Sequence, residues 1–329
     1  MSNGGGFNWL SLWYQVFLGF YQRIGLLGRE LRQRRGRIFV AGVPMLWLGL
    51  FFLVPFLILA KISLTDPMPG ARPPYGDLLS WGEHWRLQLT LNLGNYLQLF
   101  EDSLYLAAYL NSLKIAAVST FFALLVGYPM AYGIARATPR WRMVLLMLVI
   151  LPFWTSFLIR IYAWIGLLRN NGLINQTLQW LGLIDEPLRM LNTDFAIYVG
   201  IVYSYLPFMV LPLAANLMKL DRRLLEAAFD LGCRPMQAFW RITFPLSMPG
   251  VIAGCLLVFI PAVGEFVIPD LLGGSDALMI GKVLWTEFFH NRNWPVASSV
   301  AMAMLMLIVI PVLLFEHVQN RRAEKEARM

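Results

Sequence analysis

The chain has 329 residues, of which 58% are hydrophobic and 14% are charged, and it carries a net charge of +8. Soluble domains carry about 25% charged residues, so a water-soluble fold is excluded and lipid is the solvent expected for much of the chain. The basic residues lie at the ends of apolar runs, where membrane topology places them. They therefore do not indicate a nucleic-acid-binding protein.

The first apolar segment, residues 7–27, has aromatic residues at roughly helical spacing: Trp9, Trp13, Phe17 and Phe20. Because Trp and Tyr favour the membrane interface, we predict a helix that lies in the interface plane. A seventh membrane span is the alternative. The glutamines and glycines of the segment argue against it.

Six later stretches have the length of about 20 mostly apolar residues that a bilayer-spanning helix needs. They are Ile38–Ala60, Tyr109–Ala135, Met143–Leu167, Phe195–Leu217, Val251–Leu271 and Val296–Phe315. A helix satisfies its own backbone hydrogen bonds in lipid, so we predict an all-α integral membrane protein with six transmembrane helices.

Orientation follows from the basic residues that lie outside these spans. Of 25 such Lys and Arg residues, 18 lie in the N-terminal segment, the second and fourth loops and the C-terminal tail. The positive-inside rule therefore predicts that both termini are cytoplasmic. We divide the chain into an N-terminal arm (1–37), a first span with a long outer loop (38–107), a transmembrane core (108–316) and a cytoplasmic tail (317–329).

The fourth loop, residues 219–250, has the signals of two short helices joined by a sharp turn. Asp221 is suited to the N-cap of the first helix, and Gly232 suits the left-handed position just past its end. Pro235 suits the first turn of the second helix. Leu224, Leu225, Ala228 and Leu231 are predicted to form one apolar face of the first helix.

The same loop resembles the signature of permease subunits in binding-protein-dependent ABC importers. The matching residues are Glu226, Ala227, Ala228, Gly232, Ile242 and Pro245, and the one departure is Phe244 where the family has Leu. The resemblance implies the type I importer permease architecture and a bacterial inner-membrane location. It also implies that this loop is the coupling helix that docks into a groove on the ATPase.

Two further stretches, Leu151–Trp164 and Phe259–Gly274, resemble polyamine permeases, in particular the PotH-type subunits of putrescine importers. The resemblance implies a complex with a second permease (PotI-type), an ATPase dimer (PotG-type) and a periplasmic polyamine-binding protein (PotF-type). The chain has no P-loop motif to hold phosphates. We therefore expect no catalysis, cofactor or metal in this subunit, with ATP and Mg²⁺ bound by the partner ATPase.

Arg160 and Glu265 are charged residues inside the third and fifth predicted spans. Charges in the membrane are costly and are candidates for function by default. Two interpretations stay open: an ion pair between them that fixes two helices, or contact with the cargo. Both are expected in the outer half of the membrane, since both spans run outward.

Putrescine carries two ammonium groups on an apolar linker, so a site for it needs a carboxylate and aromatic ring faces. Residues of these types at broadly suitable depth, together with Arg160, form the candidate substrate pathway. They are Glu265, Arg160, Trp154, Tyr162, Tyr203, Tyr205 and Phe266.

Three alternatives remain at this point. The cargo of an ABC permease could be spermidine or another cationic amine. The chain could instead be a secondary transporter that needs no ATPase, or a membrane scaffold that transports nothing.

Overall fold

The computed structural model describes residues 35–81, 87–274 and 277–326. It divides into two compact units, Met1–Lys61 and Ile62–Met329. The predicted interfacial helix over residues 7–27 lies outside the described residues.

Numbered in chain order, the elements are α1 (Arg35–Leu48), α2 (Val54–Ser63), β1 (Leu79–Trp81), β2 (Leu87–Leu89), α3 (Gly94–Glu101), α4 (Ser103–Arg136), α5 (Pro139–Ile150), α6 (Phe157–Leu168), α7 (Leu173–Trp180), α8 (Asp194–Leu217), α9 (Arg222–Asp230), α10 (Pro235–Ala238), α11 (Phe244–Val263), α12 (Val267–Leu272), α13 (Ile280–Trp285) and α14 (Trp294–Glu326).

The first span is one helical run with a π-helical turn in its middle. Helices α1 and α2 are joined through Gly49–Leu53, and the apolar stretch Ala41–Ser63 is long enough to cross a membrane. Pro55 has no N–H to donate to the carbonyl four residues earlier, which favours a local departure from α geometry. The first predicted span is confirmed, with its ends displaced by about one turn.

The second unit is built around three long helices, α4, α8 and α11, which pack on one another. Their contact surfaces bury apolar residues such as Ile115, Ile201, Met209 and Val258. Helix α4 starts at a capped position, where Asp102 Oδ1 accepts a hydrogen bond from the N–H of Leu104 at 2.9 Å. These helices confirm the second and fourth predicted spans, and α11 contains most of the fifth.

The third predicted span is not a single straight helix. Helix α5 continues through a 3-10 turn to Trp154, and the chain then bends by 91° into the run that starts at Phe157. Pro152 lacks the N–H that a continuing helix would need. Thr155 instead closes the turn, donating its N–H and its hydroxyl to the carbonyl of Pro152 at 3.3 and 2.8 Å. The prediction of one span over Met143–Leu167 is therefore wrong in shape, because hydropathy does not register the break.

The fifth predicted span is displaced toward the N-terminus. A continuous helical run begins at Pro235, passes through a π-helical turn at Phe239–Thr243 and ends at Val263. The chain breaks at Gly264–Phe266 before the short helix α12. The predicted limits Val251–Leu271 were wrong at both ends, since the loop helix and the span are one run and the apolar stretch continues across the break.

The sixth predicted span, Val296–Phe315, falls on helix α14, whose described apolar part, Trp294–Ile310, is shorter than the helices that are long enough to cross a membrane, so this span stays a prediction. Within the described residues, four helices are long and apolar enough to cross a membrane, and the bent pair at Pro139–Trp180 adds a fifth candidate. The long loop after the first span also holds a two-stranded antiparallel sheet, in which Leu79 pairs with Leu89 and Trp81 with Leu87. The all-α prediction holds for the membrane core and misses this small sheet.

Candidate functional site: a loop turn and a buried carboxylate

The first helix of the loop, α9, begins at the predicted capping residue. Asp221 Oδ1 accepts a hydrogen bond from the N–H of Arg223 at 3.0 Å. This bond satisfies one of the N–H groups that the first turn of a helix leaves without a partner.

The helix ends in a Schellman turn. The N–H of Cys233 donates to the carbonyl of Ala228 and the N–H of Gly232 to that of Phe229, both at 2.9 Å. Gly232 has φ +81°, and a Cβ placed on it would meet no atom within 4 Å. Glycine is therefore needed here for its backbone conformation and not for space. Pro235 then opens α10, as predicted. The expected sharp turn is confirmed.

The residues of the signature lie on both faces of the turn. Ala228 is buried, whereas Glu226, Ala227 and Pro245 are exposed and Ile242 is half-buried. Leu231, predicted to belong to the apolar face of the first helix, is the C-cap residue just past its end and is 86% exposed. The large apolar side chains exposed around the turn are Leu224, Phe229, Leu231, Met236 and Trp240. An exposed apolar patch of this kind marks an interaction site.

The carboxylate of Glu265 is buried in the break between α11 and α12, where it is 8% exposed. Its Oε1 atom accepts hydrogen bonds from the N–H groups of Phe266, Val267 and Ile268 at 3.2, 3.0 and 3.4 Å. Its Oε2 atom accepts a hydrogen bond from the hydroxyl of Tyr205 on α8. The side chain thus caps α12 and ties it to α8, and this arrangement stabilises a negative charge.

Arg160 does not pair with Glu265. Within the described residues no ion pair joins them, and the Nε and Nη1 atoms of Arg160 are buried without a hydrogen-bond partner. The guanidinium lies over the rings of Phe153 and Phe157, with its Cζ atom 5.2 and 5.7 Å from the two centroids. The ion-pair interpretation is therefore wrong for this conformation.

Aromatic rings connect the two charges. The ring of Tyr205 lies 6.2 Å from that of Phe208, and Phe208 packs edge-on against Phe153 at 5.2 Å. Phe153 is the ring beneath Arg160. The sequence analysis missed Phe153 and Phe208 because they carry no charge and lie on different helical runs.

The remaining predicted pathway residues fall into two groups. Tyr203 packs against Trp164 at 5.4 Å, and Phe266 stacks on Trp285 at 4.5 Å. Trp154 and Tyr162 are instead 84% and 59% exposed. The structure brings together Glu265, the hydroxyl of Tyr205 and the backbone N–H of Phe266, whereas Trp154 and Tyr162 are exposed.

The break at Glu265 is held from the other side by the segment that begins α13. A Cβ on Gly281 would lie 2.4 Å from the carbonyl oxygen of Gly264 and 2.7 Å from that of Glu265. Ser112 on α4 accepts a hydrogen bond from the N–H of Ile280 at 2.8 Å. The close approach explains why a glycine stands at position 281, which the sequence analysis did not use.

The fold is that of an integral membrane protein with several helices long enough to span the membrane, and comparison with known proteins gives the family. The model described as "Binding-protein-dependent transport system inner membrane component" matches residues 34–325. The chain belongs to this family and is a multi-pass inner-membrane protein.

Curated relatives of the chain include the spermidine/putrescine transport system permease proteins PotB of Haemophilus influenzae and Escherichia coli. They are 40% and 39% identical to it over 283 residues, which cover 85% of this chain and 94% and 98% of the relatives. The inner membrane ABC transporter permease protein YdcU of Escherichia coli is 32% identical over 67% of this chain and 74% of its own length.

A solved structure has the same fold. One chain of a bacterial ABC transporter involved in the import of the acidic polysaccharide alginate matches with a TM-score of 0.64 at 16% identity. The match covers 90% of this chain and 99% of that one. The architecture is that of an ABC importer permease.

Proposed function

We propose that this chain is the permease subunit of an ATP-driven polyamine importer and that putrescine is its preferred cargo. The observation that supports the cargo is the buried carboxylate of Glu265, which accepts hydrogen bonds from the hydroxyl of Tyr205 and the backbone N–H of Phe266. The PotB relatives, whose name gives both spermidine and putrescine, support the amine class. The PotH-type likeness of Phe259–Gly274 favours putrescine.

The chemistry of the site suits a primary ammonium group. A carboxylate has about four lone-pair positions, and at Glu265 the protein donors lie mostly on Oε1. Oε2 therefore keeps capacity for an N–H of the cargo beside the Tyr205 hydroxyl. Since Glu265 is buried in this conformation, the cargo reaches it only when the transporter changes state.

ATP hydrolysis by the partner ATPase would act on this chain through the fourth loop, residues 219–250. We place α9 and α10 in the groove of an ATPase dimer, which binds ATP and Mg²⁺, and we expect a second permease and a periplasmic amine-binding protein to complete the complex. The exposed side chains of Leu231, Met236 and Trp240 support this docking.

Both termini and this loop would then be cytoplasmic. Labelling of Arg234→Cys by an impermeant maleimide from the periplasm, with Cys233 and Cys255 replaced, would contradict that orientation.

The test of the cargo site is Glu265→Gln in the complete complex reconstituted into liposomes. The amide oxygen of Gln keeps the cap on α12 and its NH₂ group can donate to Tyr205, so we expect a folded complex. Uptake of labelled putrescine below saturation should fall about tenfold, a loss of about 1.4 kcal/mol. Wild-type uptake by Glu265→Gln would contradict the carboxylate's role. A control measures capture of putrescine by the binding protein, which should not change.

The same assay separates the alternatives. A secondary transporter would take up putrescine in the absence of ATP, and a scaffold would show no uptake with either the wild type or the variant. Competition between putrescine and spermidine at equal concentration decides the preferred cargo.

A further inference from the structure

A cavity of about 370 Å³ lies beside helix α9 of the loop turn, where two of the membrane helices end. Its walls include Arg136 and Leu217, which are the last residues of α4 and α8. Both helices are long and apolar enough to cross a membrane, so the cavity lies at the level where a bilayer has its headgroups. Its volume is within the range of small-ligand pockets.

Two arginines at the corner between α4 and α5 give this cavity its positive charge. The guanidinium of Arg136 lies over the ring of Tyr132, with its Cζ atom 4.5 Å from the centroid. Arg142 donates from Nη2 to the carbonyls of Ala135 and Ala137 at 3.1 and 3.3 Å. These contacts hold both side chains in place without neutralising their charge. Basic pockets at the ends of membrane helices are typical sites for phosphate-bearing headgroups.

Helix α9 adds one negative charge to the same cavity. Glu226 is exposed and lines the cavity together with the two arginines. Within the described residues, no ion pair joins Glu226 to Arg136 or to Arg142. The cavity therefore presents a carboxylate and two guanidinium groups that do not bind one another.

These charges argue against the simplest ligands. A polyamine carries only ammonium groups, so the two arginines would repel it. An inorganic phosphate or a purely anionic headgroup would bind the arginines, but its negative charge would also lie near Glu226. A group with a phosphate at one end and an ammonium at the other suits all three side chains. Guanidinium groups donate to phosphate oxygens, and an ammonium donates to a carboxylate.

We propose that this cavity binds a phosphoethanolamine group, with its phosphate on Arg136 and Arg142 and its ammonium on Glu226. The lipid phosphatidylethanolamine is one source of this group, and soluble phosphoethanolamine is the other. Apolar and aromatic side chains, including Tyr132 and Leu220, form the rest of the wall.

The bound group would tie the loop turn to the membrane core, which goes beyond the proposed function. Glu226 lies on α9, whereas the arginines lie where α4 ends and α5 begins. Leu231, Met236 and Trp240, which we assign to ATPase docking, do not line the cavity. The apolar part of the docking surface therefore stays free when the group is bound, with Glu226 common to both sites.

The experiment uses the full chain, purified in detergent without the ATPase, and measures its thermal unfolding temperature with added lipid. Phosphatidylethanolamine should raise this temperature by roughly 3 °C or more, and phosphatidylglycerol, which lacks the ammonium, by clearly less. Glu226→Gln should abolish this preference, whereas Arg136→Gln should remove the stabilisation by both lipids. Because both residues are exposed, both variants should unfold at the wild-type temperature when no lipid is added.

Two neighbouring residues outside the cavity provide matched controls. Arg140→Gln removes an exposed arginine of α5, and Asp230→Asn removes an exposed carboxylate of α9. Neither residue lines the cavity, so both variants should respond to the lipids as the wild type does. A loss in Arg140→Gln equal to that in Arg136→Gln would show a general effect of surface charge and overturn the proposal.

The remaining outcomes decide the source and the class of the ligand. Stabilisation by soluble phosphoethanolamine, with the same effects of both variants, would support the site and make the ligand a soluble compound. Equal stabilisation of the wild type by the two lipids would overturn the proposal, since Glu226 would then bind no ammonium. Stabilisation by putrescine that Glu226→Gln abolishes would make the cavity a cargo site and equally overturn it. None of these measurements uses ATP or transport, so the proposed function stands or fails separately.

Discussion

The loop turn at Asp221–Pro245 and the break at Gly264–Gly281 present two kinds of functional structure. The turn is made by neighbours in sequence: a cap at Asp221, a glycine at φ +81° and a proline that starts the next helix. The break is made by groups far apart in sequence, with Tyr205 on one side and Gly281 on the other. The turn therefore depends on backbone conformation, whereas the break depends on packing, and different substitutions should damage each.

The largest effect is expected at the turn. Gly232→Val forces a β-branched residue to φ +81°, a conformation that costs an L-residue roughly 1–2 kcal/mol even without branching. We expect uptake to fall more than about tenfold while the chain remains in the membrane. Gly232→Asn is the matched control, since Asn tolerates this region. Loss of uptake by the Asn variant as well would show that something other than backbone conformation matters.

The next effect tests the packing of the break. In Gly281→Ala the new Cβ would meet backbone oxygens of Gly264 and Glu265 at 2.4 and 2.7 Å, and backbone cannot yield as a side chain can. Overpacking of this kind costs about 1–3 kcal/mol, so we expect a lower unfolding temperature in detergent and reduced uptake. Gly133→Ala, where a Cβ meets nothing within 4 Å, should be neutral. Equal behaviour of the two variants would contradict the close approach.

A smaller effect is expected from charge reversal at the turn. Glu226 is exposed, so Glu226→Lys should leave the fold intact and weaken ATPase docking by up to about fivefold. The measurement is recovery of the ATPase with the purified permease at low salt. Asp230→Lys, on the same helix and also exposed, is the control. If both variants lose ATPase to the same degree, the effect is one of net charge and not of the Glu226 position.

The smallest effect concerns the link between α8 and Glu265. Tyr205→Phe removes one hydrogen bond to a carboxylate that keeps its three backbone donors. We expect a loss of about 1 kcal/mol in stability and a two- to threefold fall in putrescine uptake. Tyr203→Phe, at a ring that packs on Trp164, should have no effect on uptake. A Tyr205→Phe variant as impaired as Glu265→Gln would show that the hydroxyl matters to uptake as much as the carboxylate, which contradicts this small expected effect.

The sequence predicted what local rules determine. The cap at Asp221, the turn at Gly232 and the helix start at Pro235 are all confirmed, because each depends on residues within one or two turns of helix. Apolar length likewise located the first, second and fourth predicted spans. The roles of these residues in coupling and transport remain predictions.

Tertiary contacts account for what the sequence did not predict. The 91° bend beyond Trp154 and the break after Val263 lie inside continuous apolar stretches. A prediction from hydropathy therefore does not detect either of them. Prolines at 152 and 261 were visible in the sequence, but only the first marks a break. The expected pairing of Arg160 with Glu265 failed because a carboxylate can be satisfied by backbone N–H groups, which no pattern of charges reveals.

The run from Pro235 to Val263 has a mechanical consequence. It joins the loop turn to the residue before the Gly264–Glu265 break as one rod of 29 residues, about 43 Å long at 1.5 Å per residue. A tilt of about 5° around its midpoint would displace each end by about 2 Å in opposite directions. Such a displacement is enough to separate Glu265 from the hydroxyl of Tyr205 on a helix that did not move. A displacement at one end of this helical run would thus release the carboxylate at the other. The α-helical hydrogen-bond pattern of the run is interrupted at the π-helical turn Phe239–Thr243 and at Pro249 and Pro261, which have no N–H to donate.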